Sequence, residues 1–329
     1  MGWTADEIPD QSGRTIVVTG ANSGIGLEAT RELARNGATV IMATRSTERG
    51  EAAADEIRED IPAADLRVEE CDLADLESVR SFADRLADET IDVLINNAGV
   101  MAIPRSETED GFETQFGVNH LGHFALTGLL LENLATDEGE PARVVTVSSG
   151  VHENGEIDFD DLQHEESYDK WDAYAQSKLA NVLFAYELER RFLTAELNAE
   201  SMAVHPGYAN TQLQIRGPEQ SGSRLRMAAM KLMNTVVAQS AEMGALPTLY
   251  AATAPESEGG AYYGPGGLMN MRGAPERQAS SDRSYDEEAA RRLWAVSEEL
   301  TGVTYDLPEP KARSRRRLGL RARRHSRQP

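Results

Sequence analysis

The stretch Arg14–Gly26 (RTIVVTGANSGIG) joins a short apolar run directly to a turn that contains three glycines. The β-branched residues at its start predict a buried strand, and the pattern over 24–36 predicts a helix that begins inside the turn. Glycines let the backbone pass close to an anion at the N-terminus of that helix, where free N–H groups and the helix dipole favour negative charge. The stretch therefore predicts a phosphate-binding turn. A tight turn that serves only to pack the helix on the strand is the alternative interpretation.

Apolar runs and helical patterns alternate along the rest of the chain. Strands separated by single helices predict a parallel sheet with both faces covered, because each crossover places a helix on the sheet. We therefore expect a single doubly wound α/β domain of the Rossmann type. The predicted strands are 14–19, 38–44, 65–71, 91–96, 143–148, 202–205 and, as a seventh candidate, 260–263; the predicted helices are 24–36, 47–60, 75–88, 108–134, 171–192, 239–253 and 286–300.

Three segments lie outside this alternation. Residues 1–12 form an acidic N-terminal extension, and the domain itself is expected over 13–306. Within the domain, residues 212–235 follow a predicted strand on the side where such folds bind ligands, so we interpret them as a substrate loop. Residues 307–329 form a basic tail that we expect to be disordered. It contains no aromatic residue after Lys311 for stacking on bases, which favours a solvated extension over a nucleic-acid-binding one.

The net charge narrows the possible partners. The 329 residues carry 33 Lys and Arg against 55 Asp and Glu, a formal charge of −22. Nine of the basic residues lie in 311–329, so residues 1–310 carry −31. Such acidity argues against nucleic acid as the main partner. Because the chain has four lysines against 29 arginines, the balance favours a protein from a halophilic organism, with an ordinary acidic surface as the alternative.

Cysteine content and hydropathy bear on the compartment. Cys71 is the only cysteine, which excludes an internal disulfide and fits a reducing environment. The N-terminus is polar and acidic, unlike a secretory signal. The longest apolar stretch, 121–131, is too short and too polar to span a bilayer. We therefore expect a soluble cytoplasmic protein with no membrane insertion.

Tyr174 and Lys178 lie four residues apart in a predicted helix, so the phenol and the ammonium share one face. A nearby ammonium favours phenolate and would lower the pKa of Tyr174 toward neutrality, which suits a general acid/base. Ser148-Ser149 ends a predicted strand that opens onto the same crevice, 25 residues before the tyrosine. Asn96–Gly99 ends another strand, where asparagine side chains can tie strands together and small residues leave room for a ribose.

In combination, the motifs TGANSGIG, NNAG, VNHLGHF, VTVSS, YAQSK and HPGYANT resemble the short-chain dehydrogenase/reductase family over about residues 14–306. NHLGHF, SKLANVLF and the closing RRLWAVSEEL are similar to its retinol-dehydrogenase-like branch. The resemblance implies a catalytic set of Asn119, Ser149, Tyr174 and Lys178, with Ser148 as the less favoured serine. In such a set the tyrosine exchanges a proton with the substrate oxygen and the serine orients that oxygen. The lysine binds the nicotinamide ribose, and the asparagine holds a water.

The resemblance also implies a nicotinamide dinucleotide cofactor. Arg45 follows the second predicted strand, where the adenosine ribose is expected, and its guanidinium suits a 2′-phosphate. NADP(H) is therefore expected to be preferred, with NAD(H) as the second candidate. His120, His123 and His205 are scattered, and we expect no metal. The implied cofactor-binding residues are Gly20, Asn22, Ser23, Gly24, Ile25, Gly26, Arg45, Asp72, Leu73, Asn97, Ala98, Gly99, Tyr174, Lys178, Pro206, Gly207 and Thr211.

Together these features predict an oxidoreductase that transfers hydride between NADP(H) and a carbonyl or alcohol substrate, with Tyr174 as general acid/base. The substrate would be a small molecule: an aldehyde, a ketone or a retinoid- or steroid-like compound. Family habit implies a homo-oligomer. One alternative is a non-catalytic nucleotide-binding regulatory protein, which would be expected to have lost the tyrosine or the lysine. The other is a nucleotide-sugar epimerase of the related extended family, in which the glycines are normally spaced G-x2-G-x2-G.

Overall fold

The computed structural model describes residues 2–134, 139–207, 240–267 and 270–310. These residues form an eight-stranded sheet with the order β3-β2-β1-β4-β5-β6-β7-β8. Strands β1 to β7 pair in parallel, and β8 runs antiparallel to β7 at the edge. The strands are β1 (Thr15–Thr19), β2 (Thr39–Thr44), β3 (Asp65–Glu70), β4 (Val93–Asn96), β5 (Ala142–Val147), β6 (Ala199–Val204), β7 (Tyr262–Pro265) and β8 (Pro275–Gln278).

Helices cover both faces of this sheet, which confirms the predicted doubly wound fold. The helices are α1 (Gly24–Arg35), α2 (Thr47–Asp60), α3 (Leu76–Arg85), α4 (Gly122–Leu129), α5 (Lys170–Ala195), α6 (Ala241–Thr253) and α7 (Glu287–Thr301). None of the helices in the described ranges is long and apolar enough to cross a membrane.

The apolar core is divided by the sheet into two layers. Ile16 and Val18 of β1 pack in one layer with residues of α1 and α6, whereas Val17 packs in the other with residues of α3 and α4. Since every residue of such a strand faces apolar neighbours, the strand appears in the sequence as a continuous apolar run rather than an alternating one. The order of the strands then brings the carboxyl ends of β1, β4 and β5 side by side.

The predicted helix over 108–134 is shorter and less regular than the sequence pattern indicates. The structure places one α-helical turn at Thr114–Phe116, a π-helical turn at Gly117–Leu121 and then α4. Glu107 and Glu113 instead form an isolated antiparallel bridge, so the residues before 114 belong to a loop. π-Helical turns are rare in proteins, and those that occur are often located at functional sites.

Strand β8 was not predicted. Its sequence, Pro275-Glu-Arg-Gln278, has no apolar alternation, and Glu276 and Arg277 are exposed. Proline and charged side chains are tolerated in a strand mainly at the edge of a sheet, where one side of the backbone has no partner strand. An edge strand of this composition is indistinguishable from a loop when only its sequence is read.

The segments flanking the domain are packed against it where the structure describes them. Ile8 is buried in the apolar core, and the Trp3 ring meets the Tyr250 ring edge-on at 5.4 Å. After α7, Val303 and Tyr305 are buried, and the Tyr305 hydroxyl donates to the Phe124 carbonyl at 2.6 Å. The predicted substrate loop 212–235 and the part of the basic tail from residue 311 onward lie outside the described residues.

Candidate active site

A cleft opens at the carboxyl ends of the central parallel strands. One end is formed by the glycine-rich turn before α1 and by the loop after β2, and the other by α5 and the end of β5. All but two of the predicted cofactor-binding residues line this cleft. The two exceptions are Gly207, which follows the lining residue Pro206, and Thr211, which lies outside the described residues.

The glycine-rich turn fits closely against the neighbouring strand end. Gly20 and Gly24 have φ angles of +66° and +57°, in the left-handed region that side chains disfavour. At Gly26, a Cβ atom would lie 2.4 Å from the Gly20 carbonyl oxygen and 2.5 Å from Asn97 Nδ2. The backbone therefore reaches the cleft at a position that only glycine allows. Helix α1 begins at Gly24, so its N-terminus opens onto the cleft as the sequence predicts.

Thr19, at the end of β1, joins this turn to the end of β4. Its hydroxyl oxygen accepts hydrogen bonds from the backbone N–H groups of Asn97 and Ala98, both at 2.9 Å. The Asn97 side chain in turn donates to the Thr19 carbonyl at 2.7 Å. These bonds hold the two strand ends together across the floor of the cleft. The sequence analysis did not single out Thr19, because a threonine at a strand end carries no distinctive pattern.

Tyr174 and Lys178 lie on one face of α5, and both are almost fully buried, with 4% and 3% of their surfaces exposed. The Lys178 ammonium donates to the Val147 carbonyl at 3.1 Å and lies 5.9 Å from the centre of the Tyr174 ring. The Ser149 side chain acts on the Tyr174 phenol, whose pKa it lowers. The structure thus brings together three of the four residues that the resemblance implies for catalysis.

The pKa of Tyr174 differs from the one that the sequence predicts. Burial raises the pKa of Tyr174 to about 12, against the opposing effect of the hydrogen bond with Ser149. The expected lowering toward neutrality by Lys178 is therefore wrong for this structure, because the loss of water around the phenol outweighs it. Burial also lowers the pKa of Lys178, to about 8. Near pH 7 the phenol accordingly keeps its proton, and the amine is mostly charged.

The two serines after β5 have different partners. The Ser148 hydroxyl is buried and donates to the Lys178 backbone carbonyl at 2.7 Å, which fixes the strand end to α5. Ser149 is the serine whose side chain acts on the Tyr174 phenol and lowers its pKa. Because the Ser148 hydroxyl already bonds to α5, these interactions favour Ser149 over Ser148 as the serine that shares a substrate oxygen with the tyrosine.

Asn119 lies in the π-helical turn and is fully buried. Its side-chain oxygen accepts from the Val100 backbone N–H at 2.8 Å, while its amide group donates to the Val100 carbonyl and to the Ser177 hydroxyl, both at 2.9 Å. Both amide hydrogens therefore already have protein partners. A water held by this side chain, as the resemblance implies, would have to bond to the second lone pair of the oxygen. The observed bonds fix the loop after β4 to α5.

Two arginines face the opposite end of the cleft. Arg45 follows β2, and Arg49 lies one turn later near the start of α2; both are exposed and line the cleft. Within the described residues, neither forms a salt bridge with a carboxylate. The sequence analysis identified Arg45 but missed Arg49. No helix-face pattern in the sequence links the two, because Arg45 precedes the N-cap Ser46 and only Arg49 lies within α2.

The histidines near the cleft serve the packing of the core. Burial lowers the pKa of His120 to about 3 and that of His123 to about 4, so both are neutral. His120 pairs with the Ser297 hydroxyl, and His123 bonds to the Thr19 hydroxyl and the Asn119 carbonyl. In the part of the chain that the structure describes, no group of three or more His, Cys, Asp or Glu side chains could hold a metal ion.

The fold agrees with comparisons to known proteins. The sequence matches the short chain dehydrogenase family over residues 14–221, so the chain belongs to this family of oxidoreductases. It is 44% identical over 296 residues to retinol dehydrogenase 13 of Homo sapiens, covering 88% of this chain and 85% of that protein. It is 38% identical over 307 residues to human polyprenol dehydrogenase, covering 92% and 89%.

Solved structures show the same architecture. A crystal structure of an uncharacterised protein from Mycobacterium paratuberculosis is 45% identical and covers 93% of this chain and 99% of its own, with a TM-score of 0.77. A short chain dehydrogenase from Shigella flexneri, complexed with NADP, is 23% identical, covers 78% and 98%, and has a TM-score of 0.59. The second likeness bears on the fold alone.

Proposed function

We propose that this protein is an NADP(H)-preferring dehydrogenase or reductase that interconverts an apolar alcohol and the corresponding aldehyde or ketone. The observation that carries the proposal is the placement of Tyr174 and Lys178 at one end of the cleft that the glycine-rich turn opens, with the Ser149 side chain acting on the Tyr174 phenol. A nicotinamide cofactor, when bound, supplies or accepts the hydride. The chain itself must bind and orient the cofactor and the substrate, and it must transfer the proton.

The cleft residues suit a dinucleotide. Because Gly26 has no side chain, the turn can lie close to the Gly20 carbonyl. The free backbone N–H groups at the N-terminus of α1 can then donate to a pyrophosphate. At the other end, the buried Lys178 ammonium is bonded to one carbonyl and keeps further donor hydrogens for ribose hydroxyls. The small residues Ala98 and Gly99 lie between the two ends. Sites for a phosphate and for a ribose thus occur in one continuous groove.

The proton transfer falls to Tyr174. With a pKa of about 12, the phenol is protonated at neutral pH and can donate to the oxygen of a carbonyl as that oxygen gains negative charge. Ser149, whose side chain acts on the same phenol, can donate to this oxygen and fix its position. In the oxidative direction, the proton of the alcohol would pass to the phenolate form of Tyr174, so oxidation requires the phenol first to lose its own proton.

The preference for NADP(H) rests on Arg45 and Arg49. Two guanidinium groups that lack carboxylate partners among the described residues would match the charge of a ribose 2′-phosphate, and Ser46 between them could add a hydroxyl donor. An acidic side chain at this position, which would bond the 2′-hydroxyl of NAD, is not present.

The apolar class of the substrate is suggested by Trp171. This indole lies one turn before Tyr174 on α5, meets the tyrosine ring edge-on at 6.3 Å, and is 44% exposed. An exposed tryptophan is unusual on a surface rich in carboxylates, and beside the proton donor it offers an apolar wall to a substrate chain. Relatives named for retinol and polyprenol act on alcohols of this character.

The experiment that tests the proposal is a spectrophotometric screen of NADPH oxidation over aldehydes, ketones, quinones, retinoids and steroids in buffers of low and molar KCl. Turnover of an apolar carbonyl compound would support it. Tight NADPH binding without turnover of any of these compounds would favour the regulatory alternative. Activity on nucleotide sugars without net cofactor oxidation would favour the epimerase.

Compartment, assembly and salt adaptation complete the proposal. We propose a cytoplasmic homo-oligomer adapted to high salt, on the basis of the single cysteine, the habit of the family and the charge of −31 on residues 1–310. Gel filtration of the full chain in molar KCl tests the assembly; a single species of monomer mass would contradict it.

A further inference from the structure

A buried histidine, His152, is hydrogen-bonded to the backbone of Ser149, the proposed catalytic serine. His152 belongs to the short 3-10 turn Gly150–Asn154, three residues after Ser149, and is 1% exposed. Its ring packs edge-on against Tyr262 of β7, with 5.2 Å between ring centres. None of the family motifs in the sequence includes it, and the proton transfer described above does not use it.

The hydrogen bonds of His152 fix its tautomer. The Ser281 backbone N–H donates to Nε2 at 3.0 Å, so Nε2 must be the unprotonated nitrogen of a neutral ring. Nδ1 then carries the proton and donates to the Ser149 backbone carbonyl at 2.8 Å. Burial lowers the pKa of His152, in keeping with the neutral form. The ring therefore links the serine to a segment 132 positions further along the chain.

The far side of this link is itself held in place. Ser280, next to Ser281, is hydrogen-bonded through its hydroxyl to the Tyr186 hydroxyl of α5 at 2.8 Å and to the Ser284 hydroxyl at 2.6 Å. The Tyr285 hydroxyl also accepts from the Ser280 backbone N–H at 3.2 Å. Through Tyr186, helix α5 thus holds the segment whose Ser281 N–H binds His152, and the same helix carries Tyr174.

The backbone on the two sides of Ser149 is held differently. Ser148 bonds to Val204 and to α5, whereas a Cβ atom added at Gly150 would meet no atom of the described residues within 4 Å. The Ser149 carbonyl accepts from His152 alone among the described residues, through the backbone N–H at 3.0 Å and through Nδ1. Both bonds lie within one turn, but the second comes from the ring, whose other nitrogen accepts from the distant Ser281.

We propose that His152 is a positioning residue: its Nδ1–H holds the Ser149 backbone so that the serine hydroxyl meets the Tyr174 phenol and, with it, the substrate oxygen. This inference rests on the proposed function. It differs from a general packing role because only one of the two ring nitrogens acts on the serine. The other nitrogen anchors the ring to Ser281.

Two amide substitutions separate the two nitrogens. His152→Asn places an amide N–H near the position of Nδ1 and retains the bond to the Ser149 carbonyl, while it loses the bond from Ser281. His152→Gln places an amide oxygen near the position of Nε2 and retains the bond from Ser281, while it loses the bond to Ser149. Nδ1 also lies 3.3 Å from the Tyr262 hydroxyl, a contact that His152→Gln loses and His152→Asn can keep. Each kcat is therefore compared with the Tm measured for the same variant. His164→Gln is a matched control on the loop before α5.

We expect His152→Asn to keep kcat within about threefold of wild type and His152→Gln to lower it about ten- to a hundredfold, as for a misplaced oxyanion donor. The NADPH KM should be unchanged in both, and His164→Gln should match wild type. Equal kcat values for the two variants at equal Tm, or losses of kcat that simply follow Tm, would overturn the inference while leaving the proposed function intact. A wild-type protein with no NADPH-dependent turnover would overturn the proposed function, and the inference with it.

Discussion

The two ends of the cleft place charged and polar groups in opposite environments. Tyr174 and Lys178 are nearly inaccessible, and burial moves the pKa of each, to about 12 and about 8. Arg45 and Arg49 are exposed to solvent at the other end. Where water is excluded, the protein determines which groups carry protons. Where water is present, charges are screened, and recognition relies on the number and direction of donors. Changes at the buried end should therefore have larger effects.

The largest effect is expected from Tyr174→Phe. Because the phenol is the proton donor in the proposed reaction, kcat should fall about 10²- to 10⁴-fold. The dissociation constant for NADPH, measured by fluorescence titration, should change little, since the ring and its packing remain. Tyr168→Phe, which also removes a hydrogen-bonded hydroxyl, serves as the control and should keep full kcat. A Tyr174→Phe variant with more than about a tenth of wild-type kcat would exclude Tyr174 as the donor.

The next effect is a dependence on pH. Since the pKa of Lys178 is lowered to about 8, its ammonium is lost as the pH rises through that value, while Tyr174 stays protonated. The kcat/KM for carbonyl reduction should therefore fall about tenfold per pH unit above the pKa of Lys178. In Lys178→Arg, whose guanidinium keeps its charge, the overall rate should be lower but this basic limb should disappear. A wild-type profile that stays flat to pH 9.5 would show that the charge is not needed.

At the exposed end, Arg45→Asp should change the choice of cofactor. A hydrogen bond to a charged group contributes about 1.5–3 kcal/mol, so the ratio of kcat/KM for NADPH over NADH should fall about ten- to a hundredfold. Arg49→Ser should move it in the same direction by less. Arg58→Asp is the control, because Arg58 lies on α2 but pairs with Glu51 and Asp55 instead of facing the cleft. An unchanged ratio in Arg45→Asp would remove the basis for the NADP(H) preference.

A smaller effect is expected at the rim beside Tyr174. Removal of the indole in Trp171→Ala should raise KM about tenfold for long apolar carbonyl compounds, since burying a large apolar side chain contributes roughly 1.5–3 kcal/mol. For a two- or three-carbon aldehyde, KM and kcat should stay at wild-type values. Leu193→Ala, at an exposed position of the same helix, is the matched control. A uniform change for short and long substrates would argue against an apolar wall at this position.

The smallest effect, expressed per residue, should come from the acidic surface as a whole. Repulsion among its carboxylates acts over about 30 Å at 0.01 M salt and about 3 Å at 1 M, so Tm should rise by several degrees between 0.05 and 3 M KCl. Activity should rise with it. Screening also weakens exposed ion pairs, but each contributes only about 0–1 kcal/mol. A flat or falling Tm would identify the acidity as ordinary surface composition.

The features that could be predicted from sequence are the local ones. The strand, turn and helix of Arg14–Gly26 are predictable because neighbouring residues alone determine them, and the alternation that follows implies the parallel sheet. Tyr174 and Lys178 stand out because a single helix places them on one face. The sequence could not show β8, because its residues lack the local apolar pattern by which a strand is predicted.

The features that sequence could not show depend on distant parts of the chain. The pKa of Tyr174 is set by burial, which results from packing and not from its neighbour Lys178. The bond between Ser281 and His152 joins residues 129 positions apart. Arg49 is distinguished by lining the cleft without a carboxylate partner within the described residues, and both are properties of the folded surface.

The composition of β8 has a consequence for behaviour at high concentration. The outer edge of a sheet offers unpaired backbone groups to which another chain can add a strand, which is a route to aggregation. In molar salt, the repulsion between acidic surfaces that normally opposes such encounters is screened. A strand of four residues that begins with Pro275 blocks strand addition through its short length and its missing N–H group, and neither property depends on salt. Strand β8 thus opposes strand addition at its own edge of the sheet at any salt concentration, including those at which charge repulsion is weakest.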